Sequence, residues 1–296
     1  MLECPFNDLN AWVLYFSQAD LPVLKRTAHQ LAALRENEDK IGGREIAQVA
    51  LQDPLLTLKV LAYIESRRRR SQTADITTID RAVKMLGITP VETQLQSHPT
   101  ALLGLLRVIT RARRAAQYAR DWAILRHDHD VEEVTVAALL HDVAEILLWC
   151  FAPELALRIR ELQIHKPGLR SQVAQRAVLG VSLHDLQLAL ARAWHLPQLL
   201  VTLMDDKFAA NLRVRTVACA VNLARHSANG WDDPALPDDF AAVEELLHVS
   251  HEALMTRLDR PVEENPGEAA AAVSQPWAWP QLHMPIFTKP SKNPGS

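Results

Sequence analysis

The chain contains 296 residues, of which 48% are hydrophobic and 23% are charged, a composition typical of a globular protein. Only 9 glycines are present, and neither glycine-rich phosphate-loop motif occurs, which argues against a nucleotide-binding sheet. The formal net charge of −3 gives no indication of a nucleic-acid binder. The three cysteines are too far apart for a zinc knuckle and odd in number, so we expect a reducing, cytoplasmic setting.

Helix signals follow one another along the chain, and no stretch alternates as a strand would. Four candidate N-caps precede apolar runs with helical spacing: Asp53, Thr89, Asp130 and Ser182. A capping-box glutamate accompanies Thr89 (Glu92) and Asp130 (Glu133), and Asp185 accompanies Ser182. Further helices are predicted at residues 21–35, 45–51, 79–86, 99–126, 173–179 and 214–225, and one helix is predicted from 131 to 151. The fold class is therefore predicted to be all-α.

The composition changes near residue 258. Residues 259–296 contain seven of the 17 prolines and show no amphipathic pattern, so we predict a disordered Pro-rich tail. Its aromatic residues lie among prolines in PWAWP and MPIFTKP, which leaves a short binding motif as an alternative interpretation. No apolar run approaches the length of a membrane span without a charge, so no membrane contact is expected.

Four sequence blocks occur in this order: Leu21-Pro22, DPLLTLKVLAYIES (53–66), AALLHDVAEILL (137–148) and LGVSLHDLQLALARAWHLP (179–197). Together they resemble the HDOD family, signalling relatives of the HD-domain metal-dependent phosphohydrolases. In the first half, DPLLTLKVLAYIES (53–66) follows Leu21-Pro22 and Glu45-Ile46-Ala47 in the family's order. In the second half, AALLHDVAEILL (137–148) resembles the helix that names the HD superfamily. The segment LGVSLHDLQLALARAWHLP (179–197) resembles the helix that follows it. The resemblance covers about residues 15–225.

This resemblance implies a multi-helix domain with two lobes. Residues 1–98 are expected to form the N-terminal helical lobe, and residues 99–258 the HD-like helical lobe. The family is associated with signal transduction and regulation, and its members commonly lack the full metal-binding set.

The resemblance also implies a degenerate metal site. An active HD site needs an upstream His, the His-Asp pair and a downstream Asp to hold divalent metals. The pair is present as His141-Asp142, predicted to lie inside an apolar helix. The upstream position corresponds to Arg111, a cation that cannot bind a metal, and the downstream position to Asn222, a poor ligand. We expect no catalytic residue and no cofactor; if a divalent metal binds, His141 and Asp142 hold it.

Two further differences from active HD enzymes accompany the missing upstream and downstream metal ligands. The Gly-Lys step that often follows the pair is Ala144-Glu145, which removes a cation, and Asp205-Asp206 stands where a histidine pair is often found. A rearranged metal site built from His141, Asp142, His184 and Asp205-Asp206 is the alternative. In the simpler interpretation, Asp185 caps a helix beside a solvated His184, while Asp205 and Asp206 face water or begin the next helix.

An arginine stripe is predicted on the long helix over residues 99–126. Arg107, Arg111 and Arg114 share one face by their i, i+4, i+7 spacing, so Arg107 and Arg114 are candidate anion contacts, for instance for a nucleotide. The other interpretation is a solvated or internally paired face. A guanidinium can pair bidentately with a carboxylate, so we predict that Arg111, or failing it Arg107 or Arg114, hydrogen-bonds Asp142 in the former metal position.

Two functions are consistent with these residues. The first is a non-catalytic signalling or regulatory module, a pseudoenzyme that binds a partner protein or a nucleotide but no specific nucleic acid. The alternative is a metal-dependent phosphohydrolase or phosphodiesterase with a rearranged site. The two missing ligands favour the first.

Overall fold

The computed structural model describes residues 1–35, 43–70, 87–166 and 168–258. These ranges contain helices and no strand; Val23 and Pro90 form an isolated parallel β-bridge. The all-α prediction is confirmed for this part of the chain. The predicted helix at 79–86 and the Pro-rich tail at 259–296 lie outside the described residues.

The helices follow in this order. The first five are α1 (Leu9–Ser17), α2 (Lys25–Arg35), α3 (Gly43–Ala50), α4 (Pro54–Arg70) and α5 (Val91–Gln94). The next five are α6 (Pro99–Leu125), α7 (Val131–Leu140), α8 (Val143–Phe151), α9 (Pro153–His165) and α10 (Ser171–Leu179). The last five are α11 (Leu183–Ala193), α12 (Gln198–Leu203), α13 (Leu212–Ser227), α14 (Leu236–Leu247) and α15 (His251–Arg257), with a short 3-10 helix (Asp206–Phe208) before α13.

Residues 1–251 form one compact unit, while residues 252–296 belong to a second, of which residues 252–258 are described, including all of α15 but its first residue. Within the first unit α1 packs on α11, and the buried Trp12 indole donates a hydrogen bond to the carbonyl of Leu179 (3.2 Å). The boundary between residues 98 and 99 stays a prediction.

The long helix α6 is the centre of the first unit and contacts α7, α8 and α13. Its buried face is made largely of small residues, which let neighbouring helices approach closely. Gly104 shows how tight this packing is, because a Cβ built there would lie 2.6 Å from the ring of Trp149 on α8. The same close approach brings the middle of α6 next to the start of α8.

Two of the predicted N-caps are confirmed. Asp53 is fully buried, and its Oδ1 accepts hydrogen bonds from the amides of Leu55 (2.9 Å) and Leu56 (3.3 Å) at the start of α4. Its Oδ2 accepts from the amide of Leu24 (2.8 Å), so one carboxylate joins the beginnings of α2 and α4. Ser182 accepts from the amide of Asp185 at the start of α11 (3.1 Å).

The other two predicted caps differ from the structure. Helix α5 begins at Val91 after Pro90, and the Glu92 carboxylate accepts from the amide of Lys25 (2.7 Å) instead of closing a capping box. Asp130 precedes α7 but makes no cap hydrogen bond, since its carboxylate pairs with Arg213. In both cases a tertiary contact takes the carboxylate away from the local backbone.

Residues 131–151 are long and apolar enough to cross a membrane by length and composition. However, 78% of the most apolar 18-residue window is buried inside the protein. The apolar composition of this stretch is accounted for by its place in the helical core.

Candidate functional site

The His141-Asp142 pair lies at a break between two helices. The sequence predicted one continuous helix over 131–151, but α7 ends at Leu140 and α8 begins at Val143. Asp142 takes the N-cap position of α8, where its carbonyl accepts from the amides of Glu145 (3.0 Å) and Ile146 (3.1 Å). Asp142 departs from helical dihedral angles at this break (φ −104°, ψ 22°), and its side chain contacts Arg111 on α6.

Arg111 on α6 occupies the space in front of this carboxylate. Its Nε and Nη2 donate to Asp142 Oδ2 at 3.0 and 2.6 Å, and Nη2 also donates to Glu145 Oε2 at 2.7 Å. The side chains of Arg111 and Asp142 are only 16% and 11% exposed. The predicted hydrogen bond between Arg111 and Asp142 is confirmed, and Arg107 and Arg114 make no such contact.

The second oxygen of Asp142 is also occupied. Arg225 on α13 donates from Nη2 to Oδ1 at 3.2 Å, and His141 Nδ1 lies 3.3 Å from the same atom. The latter contact is a hydrogen bond when Nδ1 carries the imidazole proton. A carboxylate offers about four lone-pair sites; three guanidinium N–H groups occupy three of them here, and the fourth faces His141 Nδ1.

The residues Arg111, His141, Asp142, Glu145 and Arg225 form what we call the cluster. Its opposite charges stabilise one another. Burial raises the pKa of Asp142, but the nearby Arg111 and Arg225 outweigh it and hold that pKa well below its ordinary value. Burial likewise opposes the charge on Arg111, yet Glu145 and Asp142 raise the pKa of its guanidinium above the usual value. Asp142 is therefore ionised at neutral pH and held between two cations.

These residues do not fit a divalent metal ion. A metal ligand must present a free lone pair, whereas Asp142 is enclosed by guanidinium donors and Arg111 carries a positive charge at the upstream ligand position. Among the described residues, no group of three or more His, Cys, Asp or Glu side chains is placed to hold a metal.

The rearranged metal site is not assembled in the described part of the chain either. Asp205 does not face water but caps the next helix, which is the other expected position: it is buried, and its Oδ1 accepts from the amide of Lys207 (3.1 Å) in the 3-10 helix. Asp206 is exposed. His184 is partly buried, and the next residue, Asp185, donates its amide to the capping hydroxyl of Ser182.

Asn222 is exposed on α13, and no hydrogen bond joins it to Asp142 among the described residues, so its place in the site stays a prediction. It follows the buried Val221 by one residue, which places it about 100° around α13 and toward solvent. Arg225 lies one turn after Val221, and its longer side chain reaches the carboxylate.

Two residues of the cluster have signals that a sequence reader can recognise. Glu145 lies where active enzymes often have a cation. An acidic residue at that position is the counter-charge that a cation at position 111 requires. Arg225 lies near the expected position of the missing downstream ligand, but its role depends on the rotation of α13, which sequence spacing does not specify.

Comparison with protein families matches the HDOD domain model over residues 21–208. None of the curated proteins matches the chain. Among solved structures, the MmoQ response regulator from Methylococcus capsulatus str. Bath is 17% identical, with a TM-score of 0.59 over 83% of this chain and 100% of that chain. A virulence factor from Campylobacter jejuni subsp. jejuni is 19% identical, with a TM-score of 0.54 over 86% and 94%.

An HDOD domain protein with unknown function from Geobacter sulfurreducens is 18% identical, with a TM-score of 0.43 over 90% of this chain and 98% of that chain. At these identities, the similarity to the first two structures establishes a shared fold.

Proposed function

The chain belongs to the HDOD domain family, and from this premise we propose that it is a non-catalytic signalling module that acts by binding a partner protein. The family match covers more than half of the chain and includes the His141-Asp142 pair. In this member of the family, we infer that the site around His141-Asp142, which hydrolase relatives use for metal chemistry, has a structural role.

One observation carries the proposal: both oxygens of Asp142 are bound by arginine side chains. HD chemistry depends on a metal that activates water and polarises a phosphoryl oxygen. An ion pair has neither capacity, since a guanidinium stays protonated and has no site for a hydroxide ligand. The cluster instead links α6, α8 and α13, which suits a structural role in a binding module.

The shared fold with a protein named as a response regulator is consistent with a regulatory role. It names no partner for this chain.

An activity assay separates this proposal from a metal-dependent phosphohydrolase. The full chain is incubated with bis(p-nitrophenyl) phosphate or p-nitrophenyl phosphate and with manganese, iron or nickel, and nitrophenolate release is followed. We expect no metal-dependent turnover, because Asp142 offers no free lone pair to a metal.

The matched variants are Asp142→Asn in the cluster and Asp206→Asn on the exposed 3-10 helix. Turnover that requires metal, disappears in the first variant and persists in the second would overturn the proposal.

A further inference from the structure

A polar cavity lies at the end of the long helix α6. The helix ends where His127 adopts the left-handed backbone conformation (φ 52°) and the amide of Asp128 donates to the carbonyl of Ala123 (2.9 Å). The residues that follow lie beside the beginning of α13, and a cavity of about 460 Å³ is lined by residues 126–129 and 211–213. This volume is in the range of small-molecule sites.

The guanidinium of Arg126 is held in one orientation at this cavity. Its Nη1 donates to the hydroxyl of Thr216 (2.7 Å) and to the carbonyl of Leu212 (3.2 Å). Thr216 is only 1% exposed and donates to the same carbonyl (2.8 Å), so Arg126 is anchored on the buried face of α13. A side chain that is already fixed loses little conformational entropy when a ligand binds.

No carboxylate pairs with Arg126 within the described part of the chain, and its Nε and Nη2 make no hydrogen bond there. The acidic residue that lines the cavity, Asp128, is 6% exposed, and both of its oxygens accept from Arg213 Nε (2.8 and 3.0 Å). Asp130 also pairs with Arg213 and does not line the cavity. Both carboxylates are thus engaged by Arg213, and Arg126 is the cation that a ligand in the cavity meets.

Two histidines add further donors to the same lining. His127 and His129 are exposed and flank Asp128 in the chain. Each imidazole carries at least one N–H group, and both of its nitrogens donate when it is protonated. Guanidinium and imidazole donors around one cavity suit the oxygens of a phosphate group.

We propose that this cavity binds a small phosphate ester, such as a nucleotide or a sugar phosphate. Nε and Nη2 of Arg126 donate to the phosphate oxygens, and the imidazoles of His127 and His129 donate to the same ligand. The site is separate from the cluster, because Arg126 lies about 22 Å farther along α6 than Arg111. The inference goes beyond the proposed function, since it adds a small-molecule ligand and does not depend on the protein partner.

A metal cation does not suit the same cavity. The oxygens of Asp128 are engaged by Arg213, and the positive charge of Arg126 repels a cation. Among the described residues, no group of three or more His, Cys, Asp or Glu side chains is placed to hold a metal. The donors of this cavity therefore favour an anion.

Isothermal titration calorimetry on the full chain, at constant ionic strength, tests the site. The probes are AMP, ribose 5-phosphate, inorganic phosphate and adenosine, which lacks the phosphate. We expect at least one of the two esters to bind and adenosine not to bind, and the tighter ester identifies the source of the phosphate. In Arg126→Gln the affinity for that ester should fall about tenfold or more, because the charged donor to the phosphate is removed.

Arg158→Gln is the matched control, because Arg158 is exposed on α9 and does not line the cavity, and its affinity should equal that of the wild type. His129→Ala is a second variant that removes an exposed side chain without a hydrogen bond in the described region, so the fold should not suffer. It should lower the affinity about threefold. Circular dichroism checks that every variant folds.

Four results would each overturn the inference: no binding of either ester, adenosine bound as tightly as AMP, inorganic phosphate bound as tightly as the esters, or wild-type affinity in both Arg126→Gln and His129→Ala. Such a failure leaves the partner-binding proposal standing, because that proposal is tested by the activity assay on Asp142.

Discussion

Removing the Arg111 side chain is expected to destabilise the protein far more than removing a surface arginine. In Arg111→Ala, Asp142 Oδ2 loses two hydrogen bonds and Glu145 loses one. The 11% exposed Asp142 carboxylate then retains Arg225 and His141 on its other oxygen only. An ionised buried group with half of its partners missing is costly to keep in the folded state.

The magnitude follows from the burial of the pair. Breaking a buried ion pair from one side costs about 3–5 kcal/mol. The lower end applies here, because Arg225 still neutralises Asp142 and the 29% exposed Glu145 can be hydrated. We expect a loss of about 3 kcal/mol in the free energy of unfolding, or roughly 6–12 °C in Tm for a domain of this size.

Urea unfolding followed by circular dichroism measures this difference. Arg107→Ala is the matched control on the same helix, since Arg107 is exposed and unpaired among the described residues, and it should change the free energy by about 0.5 kcal/mol or less. An Arg111→Ala variant as stable as Arg107→Ala would refute the view that the cluster is a buried ion-pair network.

Three further outcomes are expected. Because the folded-state pKa of Asp142 lies below its unfolded value of about 3.9, the ion pair's contribution is complete above that pH and is lost as pH falls through the folded pKa. The stability gap between wild type and Arg111→Ala, measured by urea unfolding, should therefore narrow below about pH 4, and a gap independent of pH would contradict this assignment. Gly104→Ala should destabilise by about 1–3 kcal/mol because its Cβ overlaps the Trp149 ring, and a smaller loss in the Trp149→Phe background tests that cause. The buried Lys59 donates to the carbonyls of Leu21 (2.7 Å) and Gly87 (2.6 Å). Lys59→Met should therefore lower the free energy of unfolding, measured by thermal unfolding, by about 2 kcal/mol. A loss below about 0.5 kcal/mol would show that water hydrates these carbonyls in place of the ammonium.

The sequence predicted the helical class and the central contact of the site, for different physical reasons. Scarce glycine and the caps at Asp53 and Ser182 are local signals, which a sequence shows directly; the caps at Thr89 and Asp130 failed where a tertiary contact took the carboxylate. The contact between Arg111 and Asp142 was predicted because a buried carboxylate needs a counter-charge and a cation stood at the position of a lost ligand. Neither inference required the orientation of the helices.

The failures concern features that depend on tertiary packing. The break at His141-Asp142 is not visible in an apolar run with good helix formers on both sides. The contact of Arg225 with Asp142 depends on how α13 is rotated, and the loss of the Asp130 cap depends on a partner far away in sequence, Arg213. Periodicity identifies a helix face, but it does not identify which neighbouring side chain reaches across to it.

The central claim is that arginines, and not a metal ion, satisfy the Asp142 carboxylate. Elemental analysis of the purified full chain, after incubation with manganese and removal of unbound metal, tests it most directly. We expect no stoichiometric metal in the wild type, because guanidinium groups donate to both Asp142 oxygens and His141 Nδ1 faces one of them. Stoichiometric manganese that is lost in Asp142→Asn but retained in Asp206→Asn would contradict it.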